Sequence, residues 1–91
     1  LVLGTRPEGI KCAPLIKELK SPYYATRFEL LILSTGQHRE ILKQTLDVFD
    51  QTIDFDLNLM LHDQELSDLF TRVFSGVIAR IDSVRPNMLI V

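Results

Sequence analysis

The sequence has little of several features that mark particular classes of protein. It has no tryptophan, one cysteine (Cys12), and a net charge of only −2 from ten basic and twelve acidic residues. A single cysteine excludes an internal disulfide framework and favours a reducing, cytoplasmic location. The balanced charge gives no support to a nucleic-acid partner. No apolar run approaches the roughly 20 residues that a membrane span requires, so we expect no membrane partner.

Metal ligands are also scarce. The two histidines, His38 and His62, lie 24 positions apart, and neither has a cysteine or carboxylate at ligand spacing. We therefore predict no metal site, and we expect His62 to lie at the surface.

Strand and helix patterns alternate along the chain. Apolar runs at 1–3, 28–33 and 88–91 predict buried strands, and the alternation of apolar and polar residues over 53–59 predicts a half-exposed, peripheral strand. The segments between these strands have helical periodicity. This order predicts an α/β fold, a doubly wound parallel sheet with right-handed crossovers.

The same patterns predict details of the helices. Ser34 with Gln37 should cap the second helix, and Asp63 should cap the third, which Pro86 prevents from continuing. The first helix should bury a stripe on which Cys12 belongs to the core rather than acting as a nucleophile. That stripe comprises Cys12, Leu15, Ile16 and Leu19.

The length indicates part of a larger protein. Ninety-one residues fall below the roughly 100–150 of a common domain, and both ends of the sequence are apolar strands without flanking turns. We expect residues 1–91 to form part of one domain and to be inactive alone. In the usual strand order 3-2-1-4, ligands bind between the first and fourth strands, so this segment should carry half of a site.

The turn after the first strand is the most informative stretch. Gly4 permits a tight turn, Thr5 and Glu8 have capping-box spacing, and Pro7 suits a first helical turn. A helix that begins here offers free N–H groups and a positive dipole end to an anion. The stretch contains neither G-x-G-x-x-G nor G-K-[ST], so it is neither a dinucleotide fingerprint nor a P-loop.

Arg6 breaks a local rule in this turn. The helix dipole destabilises a cation at the first helical position by roughly 0.3–1 kcal/mol unless a negative group neutralises its charge. A phosphate would supply that charge and match the forked donors of arginine. Lys11 lies about 140° around the helix from Arg6 but has a long reach. The alternative is that both are solvated cations, with Arg6 paired to Glu8.

A second polar turn, residues 37–39, lies on the same edge of the predicted sheet. Arg39 repeats the early-helix cation, and His38 can donate or accept a proton near neutral pH. Polar residues are common in loops between strands and helices, so the alternative is a solvated or capping role for these residues.

Four stretches, in this order, resemble the non-hydrolysing UDP-N-acetylglucosamine 2-epimerases. The first, GTRPEGIKCAPL at 4–15, is the most specific, and the others lie at 35–40, 54–58 and 85–87. The resemblance runs along the whole segment and matches the N-terminal part of the first of the family's two Rossmann-like domains.

The resemblance implies a glycosyltransferase-B-like fold, a homodimer, and interconversion of UDP-GlcNAc with UDP-ManNAc for cell-surface polysaccharide. It implies elimination and re-addition of UDP without a nicotinamide cofactor, and it assigns Arg6 and Lys11 to the substrate site. The family's acidic residue after the fourth strand and its later Glu and His residues lie outside this chain, so no catalytic residue is assigned here.

The resemblance also suggests an allosteric site. Gln37, His38 and Gln64 match positions at which relatives bind UDP-GlcNAc as an activator. Asp63 departs from the pattern, because those relatives have arginine before that glutamine. An acid facing a diphosphate predicts weak activation.

Two other readings stay open. A hydrolysing relative would release free ManNAc and UDP, but its first turn typically lacks the Arg-Pro-Glu run found at 6–8. The chain could also be a non-catalytic nucleotide-sugar-binding domain or a receiver-type domain. A receiver would need acidic residues at its strand ends, where this chain has Gly4, Thr5 and Arg6.

Overall fold

The structure is a computed structural model and describes residues 1–59 and 63–91. Strands and helices alternate along these residues. Pro22–Ala25 is a short additional helix that the sequence patterns did not predict. The elements are β1 (Val2–Leu3), α1 (Arg6–Leu19), α2 (Pro22–Ala25), β2 (Leu33–Ser34), α3 (Arg39–Val48), β3 (Phe55–Asp56) and α4 (Leu66–Val84).

The three strands form a parallel sheet in the order β1-β2-β3. In its register, Leu3 lies opposite Ser34, which in turn lies opposite Asp56. The parallel α/β arrangement is as predicted, although the strands are shorter than the apolar runs. Phe28, at the start of the predicted second strand, is instead exposed.

Residues 88–91 lie beside β1 without forming a strand. The N–H of Val2 donates to the carbonyl oxygen of Ile90 at 2.9 Å. Alternate residues of a strand hydrogen-bond to opposite sides, and Leu1 and Leu3 already bond to the β2 segment, so this contact lies on the far side of β1. The predicted fourth strand is thus wrong as secondary structure, but the segment occupies the place that the order 3-2-1-4 gives it.

Helices α1 and α3 cover one face of the sheet and contact each other closely. The core of this layer consists of Leu3, Ile16, Ile32, Leu42 and Leu46. A Cβ atom on Gly9 would lie 2.9 Å from Cδ1 of Leu42, so the lack of a side chain sets the approach of the two helices.

The buried stripe of α1 differs from the predicted one. Gly9, Ala13 and Ile16 are buried, whereas Leu15 is 40% exposed. Hydrophobic periodicity favoured Leu15, but the helix turns its smallest residues towards α3 because they allow the closest packing. Cys12 is half-buried and packs against the core, as expected.

Helix α4 lies on the opposite face of the sheet. The chain reverses direction after β3 to reach the segment beside β1, and right-handed crossovers then place the connecting helix on the other side. The contacts agree: the guanidinium of Arg80 lies 4.4 Å from the ring centroid of Phe55, and Gly76 abuts Leu57.

The ends of α4 were predicted only in part. The helix ends at Val84, before Pro86, as expected, but its N-cap is Glu65 and not Asp63. Asp63 has a φ of 56° and belongs to the preceding turn. Aspartate tolerates the left-handed conformation better than most residues, so turn geometry prevails here over capping preference.

An exposed apolar row runs along one flank of α4. Two of its members, Phe70 and Phe74, stack with ring centroids 6.3 Å apart. The row consists of Leu66, Phe70, Phe74 and Ile78. Among the described residues, no helix is long and apolar enough to cross a membrane.

A β-bulge precedes β3. The N–H groups of Asp54 and Phe55 both donate to the carbonyl oxygen of Ile32, at 2.9 and 3.1 Å, and the Asp54 carboxylate accepts the N–H of Ile32 at 2.7 Å. Two residues opposite one define a bulge, which is rare between parallel strands. As a result, Ile53 packs against the α1–α3 core, whereas Phe55 and Leu57 face α4.

Candidate functional site

The turns that follow β1 and β2 adjoin at the carboxyl edge of the sheet. The N–H of Thr35 donates to the carbonyl oxygen of Leu3 at 3.0 Å. A Cβ atom on Gly4 would lie 3.1 Å from the Thr35 hydroxyl and 3.4 Å from Oε1 of Gln37. Only glycine fits this approach without displacing its neighbours, so the structure brings predicted residues Gly4 and Gln37 together.

The first turn is held by Glu8. Helix α1 begins at Arg6 with Thr5 as its N-cap, Pro7 in its first turn, and a capping box between Thr5 and Glu8, as predicted. Oε2 of Glu8 accepts the N–H of Thr5 at 3.0 Å and also the N–H of Gly4 at 2.6 Å. The second contact was not predicted, and it leaves both N–H groups of the turn occupied.

Arg6 is exposed and makes no ion pair with any residue of 1–59 or 63–91. The alternative pairing with Glu8 does not form, because that carboxylate is directed to the backbone of the turn. Residues two apart on a helix also do not face each other. Arg6 is therefore a cation at the positive end of a helix dipole, and no carboxylate of the described residues forms an ion pair with it.

Lys11 is exposed on the same helix and likewise has no ion-pair partner among the described residues. It lies about 7.5 Å further along the helix axis than Arg6 and about 140° around it. The two cations therefore leave the helix in different directions, and only the length of the lysine chain lets it reach towards the first turn.

The second turn is organised by Ser34 and not by a Ser34–Gln37 cap. The buried Ser34 hydroxyl accepts the N–H of Gly36 at 3.0 Å. The helix begins later, at Arg39, with His38 as an exposed N-cap that makes no side-chain capping bond. The capping prediction was wrong because Ser34 still belongs to β2, where its side chain points into the packed face below the loop.

Arg39, the second early-helix cation, is neutralised within the fold. Its Nε lies 2.9 Å from Oδ2 of Asp56. The other carboxylate oxygen of Asp56 accepts the N–H of Asn58 at 2.8 Å. The two arginines that looked alike in the sequence therefore differ. Arg39 forms an ion pair within the fold, whereas Arg6 forms none with the described residues.

The chain is similar in sequence and in fold to several known proteins. No family model matches the sequence. The UDP-N-acetylglucosamine 2-epimerase of Escherichia coli strain K12 is 40% identical over 91 residues, covering 99% of this chain and 23% of that protein. The enzyme of the same name from Campylobacter jejuni is 37% identical over 91 residues, covering 100% of this chain and 23% of that protein. The sequence is homologous to UDP-N-acetylglucosamine 2-epimerases.

A solved structure supports the relationship. The chain superposes on UDP-GlcNAc 2-epimerase from Neisseria meningitidis, bound to UDP-GlcNAc, with a TM-score of 0.82 and 37% identity over 94% of this chain and 23% of that one. The predicted fold class, a doubly wound Rossmann-like sheet of the glycosyltransferase-B-like kind, is thereby confirmed. The chain spans about a quarter of the length of the epimerases it matches.

The third predicted allosteric residue, Gln64, is half-buried just before α4. It follows residues 60–62, which lie outside the described residues and include His62, so the expected surface position of His62 falls outside them as well. Within the described part of this epimerase homologue, no group of three or more His, Cys, Asp or Glu side chains could hold a metal ion.

The sequence did not predict two features of the structure. One is a groove of about 340 Å³ between α3 and β3, whose lining includes Arg39, Lys43, Asp47 and Asp54. Its mixed charges offer an anion no net attraction, and it does not include Arg6.

The other feature is Thr35, which is 7% exposed and whose hydroxyl has no hydrogen bond within the described residues. No sequence signal marks either feature.

Proposed function

We propose that the full-length protein is a non-hydrolysing UDP-N-acetylglucosamine 2-epimerase that interconverts UDP-GlcNAc and UDP-ManNAc. The homologues carry the epimerase name, and the resemblance of residues 4–15 is to the non-hydrolysing group. The observation that carries the proposal is that the Arg6 guanidinium is exposed at a helix N-terminus and has no ion-pair partner within the described residues. A bound diphosphate would neutralise its charge and accept hydrogen bonds from it.

The proposed chemistry is elimination followed by addition. Removal of the C2 proton and breakage of the bond from C1 to the UDP oxygen give 2-acetamidoglucal and UDP. Re-addition of UDP at C1 and of a proton to the other face of C2 gives the epimer. Negative charge accumulates on the departing diphosphate, so a fixed cation stabilises the transition state more than the ground state. Arg6 is proposed to supply that charge, with Lys11 reaching to the same group.

The test is a product analysis of the full-length protein with UDP-GlcNAc in D₂O. We expect UDP-ManNAc labelled with deuterium at C2, formed without added nicotinamide cofactor. Free ManNAc with stoichiometric UDP would show the hydrolysing reaction instead. Binding of UDP-GlcNAc without turnover would show a non-catalytic nucleotide-sugar-binding protein, and either result would contradict the proposal.

We propose a homodimer in the cytoplasm that supplies ManNAc units for cell-surface polysaccharide. A nucleotide-sugar substrate and the single Cys12 are compatible with that compartment. The exposed row on α4 is compatible with burial in the complete protein. Light scattering on the full-length protein checks the oligomeric state, and a monomeric mass at micromolar concentration would contradict the dimer.

We propose that Gln37, His38 and Gln64 contact UDP-GlcNAc as an activator, and that Asp63 weakens its binding. Asp63→Arg in the full-length protein should lower the UDP-GlcNAc concentration needed for half-maximal activation several-fold, because a cation replaces an acid near the diphosphate. The measurement is turnover of UDP-ManNAc at rising UDP-GlcNAc concentration.

The control for this substitution is Asp63→Asn, which removes the charge and keeps a side chain suited to the φ of 56° at this position. It should give an intermediate effect. Identical activation curves for the protein with Asp63 and the arginine variant would contradict the assignment of this position to the activator.

A further inference from the structure

The first βα turn already contains an anion. Oε2 of Glu8 accepts the N–H groups of both Gly4 and Thr5, at 2.6 and 3.0 Å. These are donors of the kind that a glycine-containing turn before a helix offers to a bound phosphate. In this chain an internal carboxylate fills that position.

The space around Gly4 is limited by Thr35 and by the Glu8 carboxylate. A Cβ atom at Gly4 would lie 3.4 Å from Oε2 of Glu8 and 3.1 Å from the hydroxyl of Thr35, which is buried. The turn at Gly4 is therefore packed against both the loop after β2 and the Glu8 carboxylate. A phosphate that entered it would have to displace a like-charged group.

We infer that Glu8 is a positioning residue: it occupies the backbone donors of the first turn, keeps the diphosphate out of them, and leaves the Arg6 side chain as the group that meets it. The inference rests on the proposed function and adds to it where the diphosphate lies relative to the turn. Arg6 and Glu8 are two residues apart on α1, so the carboxylate can hold the turn without pairing with the guanidinium.

Removing Glu8 should separate binding from turnover. In Glu8→Ala the freed N–H groups accept the diphosphate in a shifted pose, so UDP still binds within about threefold while kcat falls about 10- to 100-fold, as expected for a displacement of about 1 Å. Glu8→Gln retains a carbonyl oxygen that can accept from the turn, so its kcat should stay within about fivefold of the original. A loss of helix capping alone would not produce this difference between kcat and binding.

The experiment measures kcat, KM and UDP affinity of the full-length protein and the two variants, with and without 0.1 M formate as a small carboxylate probe. Formate should fill the vacated position in Glu8→Ala and restore part of kcat, and should leave the unsubstituted protein unchanged. Glu18→Ala, the same change on the exposed side of α1, is the matched control and should behave as the unsubstituted protein.

Three results would overturn the inference: unchanged kcat in Glu8→Ala, equal loss in the alanine and glutamine variants, or loss in Glu8→Ala that formate does not relieve. Failure of the proposed function looks different. In that case the unsubstituted full-length protein would not convert UDP-GlcNAc to UDP-ManNAc, whatever the Glu8 variants do.

Discussion

Arg6→Ala in the full-length protein should lower kcat/KM for UDP-GlcNAc by about 10²–10³-fold, the effect of removing one preorganised group that stabilises transition-state charge. The UDP affinity should fall as well, because the guanidinium is exposed and has no other charge to neutralise among the described residues. Steady-state kinetics together with calorimetric titration of UDP measure the two effects. Arg6→Lys should recover part of the loss, since it keeps the charge but not the forked donors.

Arg39→Ala is the matched control for this substitution. Arg39 also lies in the first turn of a helix at the same edge of the sheet, but it pairs with Asp56 at 2.9 Å and its side chain is 55% exposed. Its removal should cost about 1 kcal/mol of stability or less and leave UDP affinity nearly unchanged. An unchanged kcat/KM in Arg6→Ala would remove Arg6 from the substrate site.

Gly36→Ala should have the largest effect on stability, a loss of about 2–4 kcal/mol. Gly36 has a φ of 76°, and a Cβ atom there would lie 2.6 Å from Cα and 2.7 Å from the backbone nitrogen of Asn58. Backbone cannot rotate away as a side-chain end can, so the loops after β2 and β3 must separate. A lowered urea midpoint of the full-length protein measures this.

Gly76→Ala provides the comparison. Gly76 lies within α4, and a Cβ atom there would meet only the side chain of Leu57, with Cδ1 at 2.9 Å, Cδ2 at 3.5 Å and Cγ at 3.6 Å, and the end of this side chain is flexible. The gain in helix propensity, roughly 1 kcal/mol, should offset the adjustment of that side chain. Equal destabilisation in the two variants would show that the contact between Gly36 and Asn58 is not the cause.

Local signals predicted the parts of the fold that depend on neighbouring residues. Thr5, Pro7 and Glu8 specify the start of α1 within four positions, and Pro86 ends α4 whatever surrounds it. The parallel sheet follows from the alternation of elements. The rotation of α1 could not be predicted in this way, because it depends on how closely Leu42 approaches Gly9, a contact across 33 positions.

The candidate site likewise combines local features, which the sequence predicted, with contacts between distant residues, which it did not. The sequence identified Arg6 as a cation in an unfavourable place because the helix dipole is a local property. It could not distinguish Arg6 from Arg39, since the partner of Arg39 is Asp56, seventeen residues away and brought near by the register of β2 with β3. The double acceptance by Glu8 was similarly out of reach, because it depends on the shape of the Gly4 turn.

The extra residue at Asp54 changes which face of the sheet the neighbouring side chains point to. Ile53, before it, packs against the α1–α3 core, whereas Phe55 and Leu57, after it, face α4, although the three positions are evenly spaced. Deleting Asp54 would make Ile53 and Phe55 adjacent, and adjacent residues of a regular strand point to opposite faces, so each would keep its layer while the contact of the Asp54 carboxylate with the N–H of Ile32 would be lost. One extra residue thus lets an alternating sequence supply apolar side chains to the helices on both faces of the sheet.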